Sequence, residues 1–259
     1  MSPTAYDLDR LRAGIRPVRL CWFPRVRSTN DHALALRKRG ELFAPAVVLA
    51  GRQVKGRGRG GNAWWSGPGS VTATFAAPVD ETVAAHGLPL IAGLAVRAAV
   101  AELLGADDVV QLKWPNDLVV AGGRKLAGLL CERAHRVDLV GVGLNVNVAP
   151  ADVPRDLRPR VTSLSVLAGR DLDLTAALTT VVRHVHARLA RRGERPFAAA
   201  LKEYDRHHAL VGRAVTVAVG NGEPVVAGRC EGLDPVGRLL VRDAGGHVHR
   251  VVAGQVVRW

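Results

Sequence analysis

With 259 residues, 48% of them hydrophobic and 23% charged, the chain sits near the globular average and has room for one large domain plus a small one. Its formal net charge of +13, carried almost wholly by arginine, fits an anionic ligand and equally fits an arginine-rich proteome, because charge speaks to attraction and not to fold. Cys21, Cys131 and Cys230 lie far apart with no C-x-x-C spacing, so neither a disulfide framework nor a thiolate zinc site is indicated, and a reducing cytosol fits.

The N-terminus, MSPTAYDLDR, carries acids where a secretory signal needs a basic start and an apolar run, so a cytoplasmic location is expected. After this polar start, Ser28-Thr29-Asn30 supplies capping side chains for a helix through HALALRKRG, which ends at Gly40. Residues 46–50 predict a short strand that runs straight into GRQVKGRGRGGNAWW at 51–65, and 70–76 resume strand-like alternation. The glycine-arginine loop therefore joins two strands. Residues 89–104 predict a long helix. The apolar window around it contains Arg97 and Glu102, each costing about 2.5 to 3.5 kcal/mol at mid-membrane, so it reads as a core helix and no membrane role is expected.

Strands are predicted next at 109–112, 118–121, 125–132 and 137–148. The last, DLVGVGLNVNV, is apolar at nearly every position, which predicts a central strand buried on both faces, its glycines marking a close approach to the backbone. Apolar residues at 174, 177, 178, 181, 182, 185 and 189 follow helical spacing, and a second helix is predicted from Pro196 to about His207, so that helices cover one side of a mixed sheet. Beyond Leu210 short strands alternate with turn residues, and Asn221-Gly222 and Gly245-Gly246 predict hairpins. The expected division is 1–209 for a large domain and 210–259 for a separate small β-barrel.

Within the loop, Gly56, Gly58, Gly60 and Gly61 let the backbone approach a ligand, and Arg57 and Arg59 add forked donors suited to carboxylate or phosphate. A phosphate-binding P-loop is excluded because G-x-x-x-x-G-K-[ST] is absent, and a dinucleotide-binding turn fails because Asn-Ala-Trp-Trp follows in place of a helix. A bare Gly-Arg run also fits a flexible or RNA-touching segment, a reading that placement between two core strands disfavours. Lys113-Trp-Pro-Asn-Asp117 projects a cation, an amide and a carboxylate within five positions, yet alone it equally fits an ordinary strand turn. Lys125 opens KLAGLLCE and alone reads as a strand-end charge. His184, His186, His207 and His208 lack ligand spacing, read as solvated or core-edge side chains, and suggest no metal site.

Taken together, Ser28-Thr29-Asn30, then Gln53 with Gly56-Arg57-Gly58-Arg59, then Lys113-Trp114-Pro115-Asn116-Asp117, then Lys125-Leu-Ala-Gly128, then Gly141-Val-Gly143-Leu-Asn145-Val-Asn147 resemble, in order and spacing, the biotin protein ligases. The motifs span about residues 20–150, and the small barrel stands where that family carries an SH3-like domain. Asn62 departs from the pattern, occupying a position where the family leads one to expect a basic residue.

The resemblance implies an α+β fold like the catalytic domain of class II aminoacyl-tRNA synthetases, with a mixed sheet and helices, plus a C-terminal SH3-like β-barrel. It implies a ligase that uses ATP and magnesium to make biotinyl-5'-AMP and passes biotin to a lysine of a biotin carboxyl carrier domain of acetyl-CoA or a related carboxylase. Ser28, Thr29, Asn30, Gln53, Gly56, Arg57, Gly58, Arg59, Lys125 and Gly128 would surround biotin. Arg57, Trp64, Lys113, Asn116, Asp117, Lys125 and Asn145 would lie toward ATP, with Lys125, Arg59, Lys113 and Asp117 carrying the chemistry and the magnesium ligands left open. The loop would fold over the acyl-adenylate. Alternatives are a lipoate-type ligase of the same fold and, in another class, a basic nucleic-acid-binding protein. About twenty residues precede the first motif, too few for a helix-turn-helix domain, so no DNA partner is expected. Monomer and homodimer both stay open.

Overall fold

The computed structural model describes residues 6–194, 196–219 and 225–259. It opens with two elements that the polar start conceals: helix α1 (Leu8–Gly14), capped by the Asp7 side chain, and strand β1 (Arg19–Val26). Each has a physical reason for escaping notice. Helix α1 buries Leu11 alone, so no period develops, and β1 is an edge strand interrupted by Pro24 and flanked by arginines. Helix α2 (Thr29–Lys38) starts where predicted, with the Ser28 side chain accepting from the Asp31 backbone N–H.

Strand β2 (Ala46–Gln53) runs into the glycine-arginine segment, which folds as a small hairpin of β3 (Gly56–Arg57) and β4 (Ala63–Trp64) before β5 (Ser70–Pro78). Helix α3 (Leu88–Leu104) ends at Gly105, whose φ of 66° is a left-handed cap. Then come β6 (Val110–Lys113), β7 (Asp117–Val120), β8 (Lys125–Ala134) and β9 (Val137–Asn145), followed by the short α4 (Leu164–Ala168), which has no counterpart in the sequence reading, α5 (Leu174–Ala190) and α6 (Phe197–Arg206).

Seven strands form one sheet in the order β1-β2-β5-β9-β8-β7-β6, with β1 parallel to β2 and every other pair antiparallel. Strand β9 lies near its middle with all nine residues buried, as its apolar run predicts. Val47 and Leu49 of β2, Val71, Ala73 and Phe75 of β5, and Val140, Val142 and Leu144 of β9 share the main core with α3 and α5. Burying each larger aliphatic side chain there contributes about 1.5–3 kcal/mol before entropy is counted. The helices are not confined to that side. Ala33 and Leu36 of α2 form a second core with Ala46, Val48, Ala76 and Leu139, whose side chains alternate to the other face. Helix α2 covers only one end of this second face, and the remainder, floored by glycines, is where the cavity lies.

The stretch 85–104 is long and apolar enough to cross a membrane, but 72% of that window is buried inside the protein. Arg97 lies within it, donating to the Val110 carbonyl at 3.0 Å and pairing with Asp107.

The C-terminal strands β10 (Ala214–Ala218), β11 (Val225–Leu233), β12 (Leu239–Arg242), β13 (Val248–Val251) and β14 (Gln255–Arg258) form an antiparallel sheet in the order β13-β12-β11-β10-β14. The Gly245-Gly246 turn joins β12 to β13, and the Asn221-Gly222 hairpin lies outside the described residues. The connection into this sheet is itself tied down: the Leu112 N–H donates to the His207 carbonyl at 2.8 Å, and the Ala209 N–H donates to the Leu112 carbonyl at 2.9 Å. Trp114 Nε1 donates to the Gly237 carbonyl at 3.4 Å, and His86 Nε2 donates to the Val236 carbonyl at 2.7 Å.

Candidate active site

The alternation of a strand explains the glycines of β8 and β9. Gly141 and Gly143 face the side opposite the helical core, and Gly128 is the cross-strand partner of Gly143. A Cβ at Gly141 would overlap the Asn30 amide, one at Gly143 would overlap the Trp64 indole, and one at Gly128 would crowd Lys125 and Trp64. These glycines are there to admit neighbours, which is the close approach that the sequence predicted. Above them lies a cavity of about 210 Å³.

One wall is the start of α2. The Thr29 N–H and Oγ1 donate to Gln53 Oε1 at 2.7 and 3.0 Å. Thr74 Oγ1 lies 2.6 Å from Asn30 Oδ1, and Asn30 Nδ2 donates to the Leu130 carbonyl at 3.0 Å and to Glu132 at 2.7 Å. A buried network whose members are satisfied holds its side chains in one arrangement, so Ser28, Thr29, Asn30 and Gln53 present a fixed polar surface.

The far wall is the β6–β7 turn. Lys125 Nζ lies 2.6 Å from Asp117 Oδ1 and 5.6 Å from the centre of the Trp64 ring. Asn116 Nδ2 donates to the Leu129 carbonyl at 2.6 Å, which leaves its carbonyl oxygen to face other partners. Burial lowers the pKa of Lys113; Asp117 pulls it back up, and Lys125 pushes it further down. Arg59 reaches in from the hairpin. Burial holds its pKa below the usual guanidinium value, and Nη1 is buried without a hydrogen-bond partner among the described residues. An orphaned donor of this kind costs about 1–3 kcal/mol, and an incoming anion removes that cost.

Arg57 behaves differently from its neighbour. Its Nη2 sits 2.9 Å from Asp31 and 2.8 Å from Glu132, so the expected free donor is an ion-paired rim residue. Gly56 lies behind the lining, where a Cβ would strike the Trp64 backbone. Asn145 is buried beside the cavity and not in its lining, with Nδ2 donating to the Thr162 carbonyl at 3.0 Å. The other expected residues, Ser28, Thr29, Asn30, Gln53, Arg57, Gly58, Arg59, Trp64, Lys113, Asn116, Asp117, Lys125 and Gly128, all line it.

The sequence reading missed what the C-terminal sheet adds. Gly254, Gln255 and Val256 also line the cavity. Lys113 Nζ donates to the Val256 carbonyl at 3.2 Å and lies 5.3 Å from the ring centre of the last residue, Trp259, which also packs against Arg213. No periodicity or motif in QVVRW announces this. Among the histidines, His208 is a correction: its side chain is fully buried against Tyr204, with Asp205 Oδ1 3.6 Å away. His184 pairs with Glu102 at 2.7 Å. Among the described residues no group of three or more His, Cys, Asp or Glu side chains could hold a metal by itself.

Three cations, Arg59, Lys113 and Lys125, converge with Asp117 as the carboxylate of the lining, an arrangement suited to a ligase that must bring two anions together. Comparison with known proteins agrees on that class. Residues 22–148 match the Biotin/lipoate A/B protein ligase family, and 210–259 match the biotin protein ligase C-terminal domain. A biotin–[acetyl-CoA-carboxylase] ligase of Mycobacterium tuberculosis is 37% identical over 89% of this chain and 85% of its own length, and one of Paracoccus denitrificans is 31% identical over 86% and 93%. The solved biotin protein ligase of Aquifex aeolicus, in complex with biotin and ATP, superposes with a TM-score of 0.80 at 28% identity, covering 92% of this chain and 97% of that one. The chain belongs to the biotin protein ligases, ATP-dependent enzymes built on the biotin/lipoate ligase fold with a C-terminal antiparallel sheet.

Proposed function

We propose that this cavity joins biotin to ATP as biotinyl-5'-AMP and then passes biotin to a lysine of a biotin carboxyl carrier domain of an acetyl-CoA or related carboxylase. The observation that carries this reading is the trio Arg59, Lys113 and Lys125 converging with one carboxylate over the glycine floor. A biotin carboxylate oxygen attacks the α-phosphorus of ATP, a P–O bond forms, and pyrophosphate leaves with the electrons of the bond that breaks. Both reactants are anions, so fixed cations aimed at the transferring group lower the barrier without reorganising. Lys125 is the residue to bridge carboxylate and α-phosphate, exchanging Asp117 for the substrates, with Arg59 above and Lys113 on the nucleotide side.

The network of Ser28, Thr29, Asn30 and Gln53, with Gly58 and Gly128 making room and Gly56 and Arg57 behind and beside them, supports the biotin side of this reading. Trp64, Asn116, Asp117 and, from beneath, Asn145 serve the nucleotide side. Magnesium fits as an ion that arrives on ATP: the lining offers one carboxylate, Asp117, and magnesium binds through one or two carboxylates together with substrate phosphates. When bound, it supplies neutralisation of phosphate charge. The seated hairpin keeps water from the anhydride. The acceptor amine then attacks the acyl carbon, the amide forms, the C–O bond to AMP breaks, and the amine loses its proton to solvent.

This reading divides the chain at 209/210 into a catalytic domain and an SH3-like domain, places it in the cytoplasm, and assigns it neither DNA nor membrane as a partner. Incubation with ATP, magnesium, biotin and an apo carrier domain is expected to add one biotin to the acceptor by mass. Absence of biotinyl-AMP under those conditions overturns the reading, and calorimetric preference for lipoate would redirect it to the lipoate-type ligases.

A further inference from the structure

We infer that the paired tips of β1 and β2 form a docking surface for an acidic face of the protein that presents the acceptor lysine. Arg25 is the cross-strand partner of Arg52 in the parallel pair, and the pairing continues beyond it, with the Lys55 N–H donating to the Arg27 carbonyl at 2.9 Å. Arg25 and Arg52 therefore stand opposite each other on neighbouring strands about 4.8 Å apart, with Arg27 and Lys55 just past the strand ends. All four side chains are exposed, and none has a hydrogen bond or ion pair among the described residues. The two carboxylates at this end of the cavity, Asp31 and Glu132, are already taken by Arg57.

Like charges side by side on adjacent strands destabilise a sheet, so the isolated fold gains nothing from this arrangement. Its position supplies the reason. Arg27 directly precedes Ser28, Arg52 precedes Gln53, and Ser28 and Gln53 both line the cavity. The inference rests on the two-step reaction proposed above, whose second step brings a cationic lysine to a cavity already lined by Arg59, Lys113 and Lys125. That approach is repelled unless the acceptor is held by other charges. Acidic side chains around the acceptor lysine, seated on the four rim cations, provide the attraction and steer the encounter. A nucleic acid would match the charge as well, but seated beside the mouth it would obstruct the lysine's entry.

The test compares the unaltered enzyme with Arg25→Glu/Arg52→Glu and with the neutral Arg25→Gln/Arg52→Gln, using four readouts: pyrophosphate release with biotin and ATP, biotin transfer to hydroxylamine, transfer to the apo carrier domain of the cognate acetyl-CoA carboxylase at two salt concentrations, and salt-dependent binding of a single-stranded RNA oligonucleotide. The first two are expected to stay within about twofold of the unaltered enzyme. The KM for the carrier is expected to rise about tenfold or more in the Glu variant and less in the Gln variant, with its salt dependence weakened in both. Unchanged KM with normal pyrophosphate release overturns the docking surface alone. Loss of salt-dependent binding to a single-stranded RNA oligonucleotide with KM unchanged overturns it in favour of nucleic acid. Failure of the unaltered enzyme to release pyrophosphate overturns the ligase reading first, and this inference with it.

Discussion

The cover and the floor of the cavity are built in opposite ways. The cover is a hairpin with two residues in each strand, Gly56 paired with Trp64 and Arg57 with Ala63, and closed by the Gly58 N–H donating to the Asn62 carbonyl and the Asn62 side chain donating to the Arg59 carbonyl. Its anchors to the rest of the protein include the ion pairs of Arg57 and the seat of Trp64 over Gly143 and beside Lys125. The floor is β7, β8 and β9, inside a seven-stranded sheet with a continuous core beneath. Few buried contacts make for low local stability and many make for high. In the proposed reaction the difference would separate two tasks, the floor keeping Lys125 and Asp117 in place and the less firmly held cover lifting to admit substrates and the acceptor.

That contrast can be broken at the floor first. Lys125→Ala is expected to lower the rate of biotinyl-AMP formation about 10²–10³-fold, read by pyrophosphate release in a single turnover. The unfolding midpoint should scarcely move, because Lys125 is a partly exposed strand-end residue and its loss opens no core cavity. Near-normal rates would remove Lys125 from its proposed role.

At the cover, Arg59→Gly is expected to let biotinyl-AMP escape about tenfold faster, since roughly 1.4 kcal/mol of charge-assisted contact is lost with the guanidinium. The unliganded protein should lose little stability, because the loss of a buried Nη1 with no hydrogen-bond partner among the described residues offsets the backbone entropy that glycine adds to the unfolded chain. An unchanged dissociation rate would show that the hairpin holds the adenylate without Arg59.

The smallest effect lies where the C-terminal sheet meets the floor. Trp259→Ala removes the ring beside Lys113, a contact worth about 0.5–2 kcal/mol, so the KM for ATP is expected to rise several-fold with kcat little changed, and Trp259→Phe should restore most of it. The pH profile gives an independent reading. Burial disfavours the charged amine, so Lys113 loses its proton at lower pH than an ordinary lysine. Opening it to water should move the alkaline limb of pyrophosphate release to higher pH. A fixed limb would mean that Lys113 does not control it.

The legible parts of the molecule are those written at short range. Helix α2 carries its own cap in Ser28, and the resemblance carried by the motifs from Ser28 to Asn145 implied most of the lining, with Gly56 and Asn145 falling outside it and Gly254, Gln255 and Val256 unannounced. The glycine alternation in β9 announced a close approach, though not that Asn30 and Trp64 are what approaches. Helix α1 and strand β1 stayed hidden because one buried leucine and an arginine-flanked edge strand leave no period to read. The expectation of helices on a single face failed because α2 crosses to the second one, a choice made by the alternate side chains Ala46, Val48 and Ala76.

By itself, then, the amino-acid order determined most of the longer elements and the small C-terminal sheet, because turn chemistry and hydrophobic period act over a few residues, and the resemblance its motifs carry pointed to most of the side chains that meet over the floor. Only the tertiary structure decided which cations remain available. Arg57 is neutralised by Asp31 and by Glu132, 75 positions away in the chain, whereas Arg59, two residues along the same hairpin, turns inward with Nη1 lacking a hydrogen-bond partner among the described residues. Lys113 is set by Val256 and Trp259, the former 143 positions distant. Such pairings follow from the order of strands in the sheet and the docking of the second sheet against the first, and contacts that far apart in the chain leave no spacing in the sequence for a reader to find.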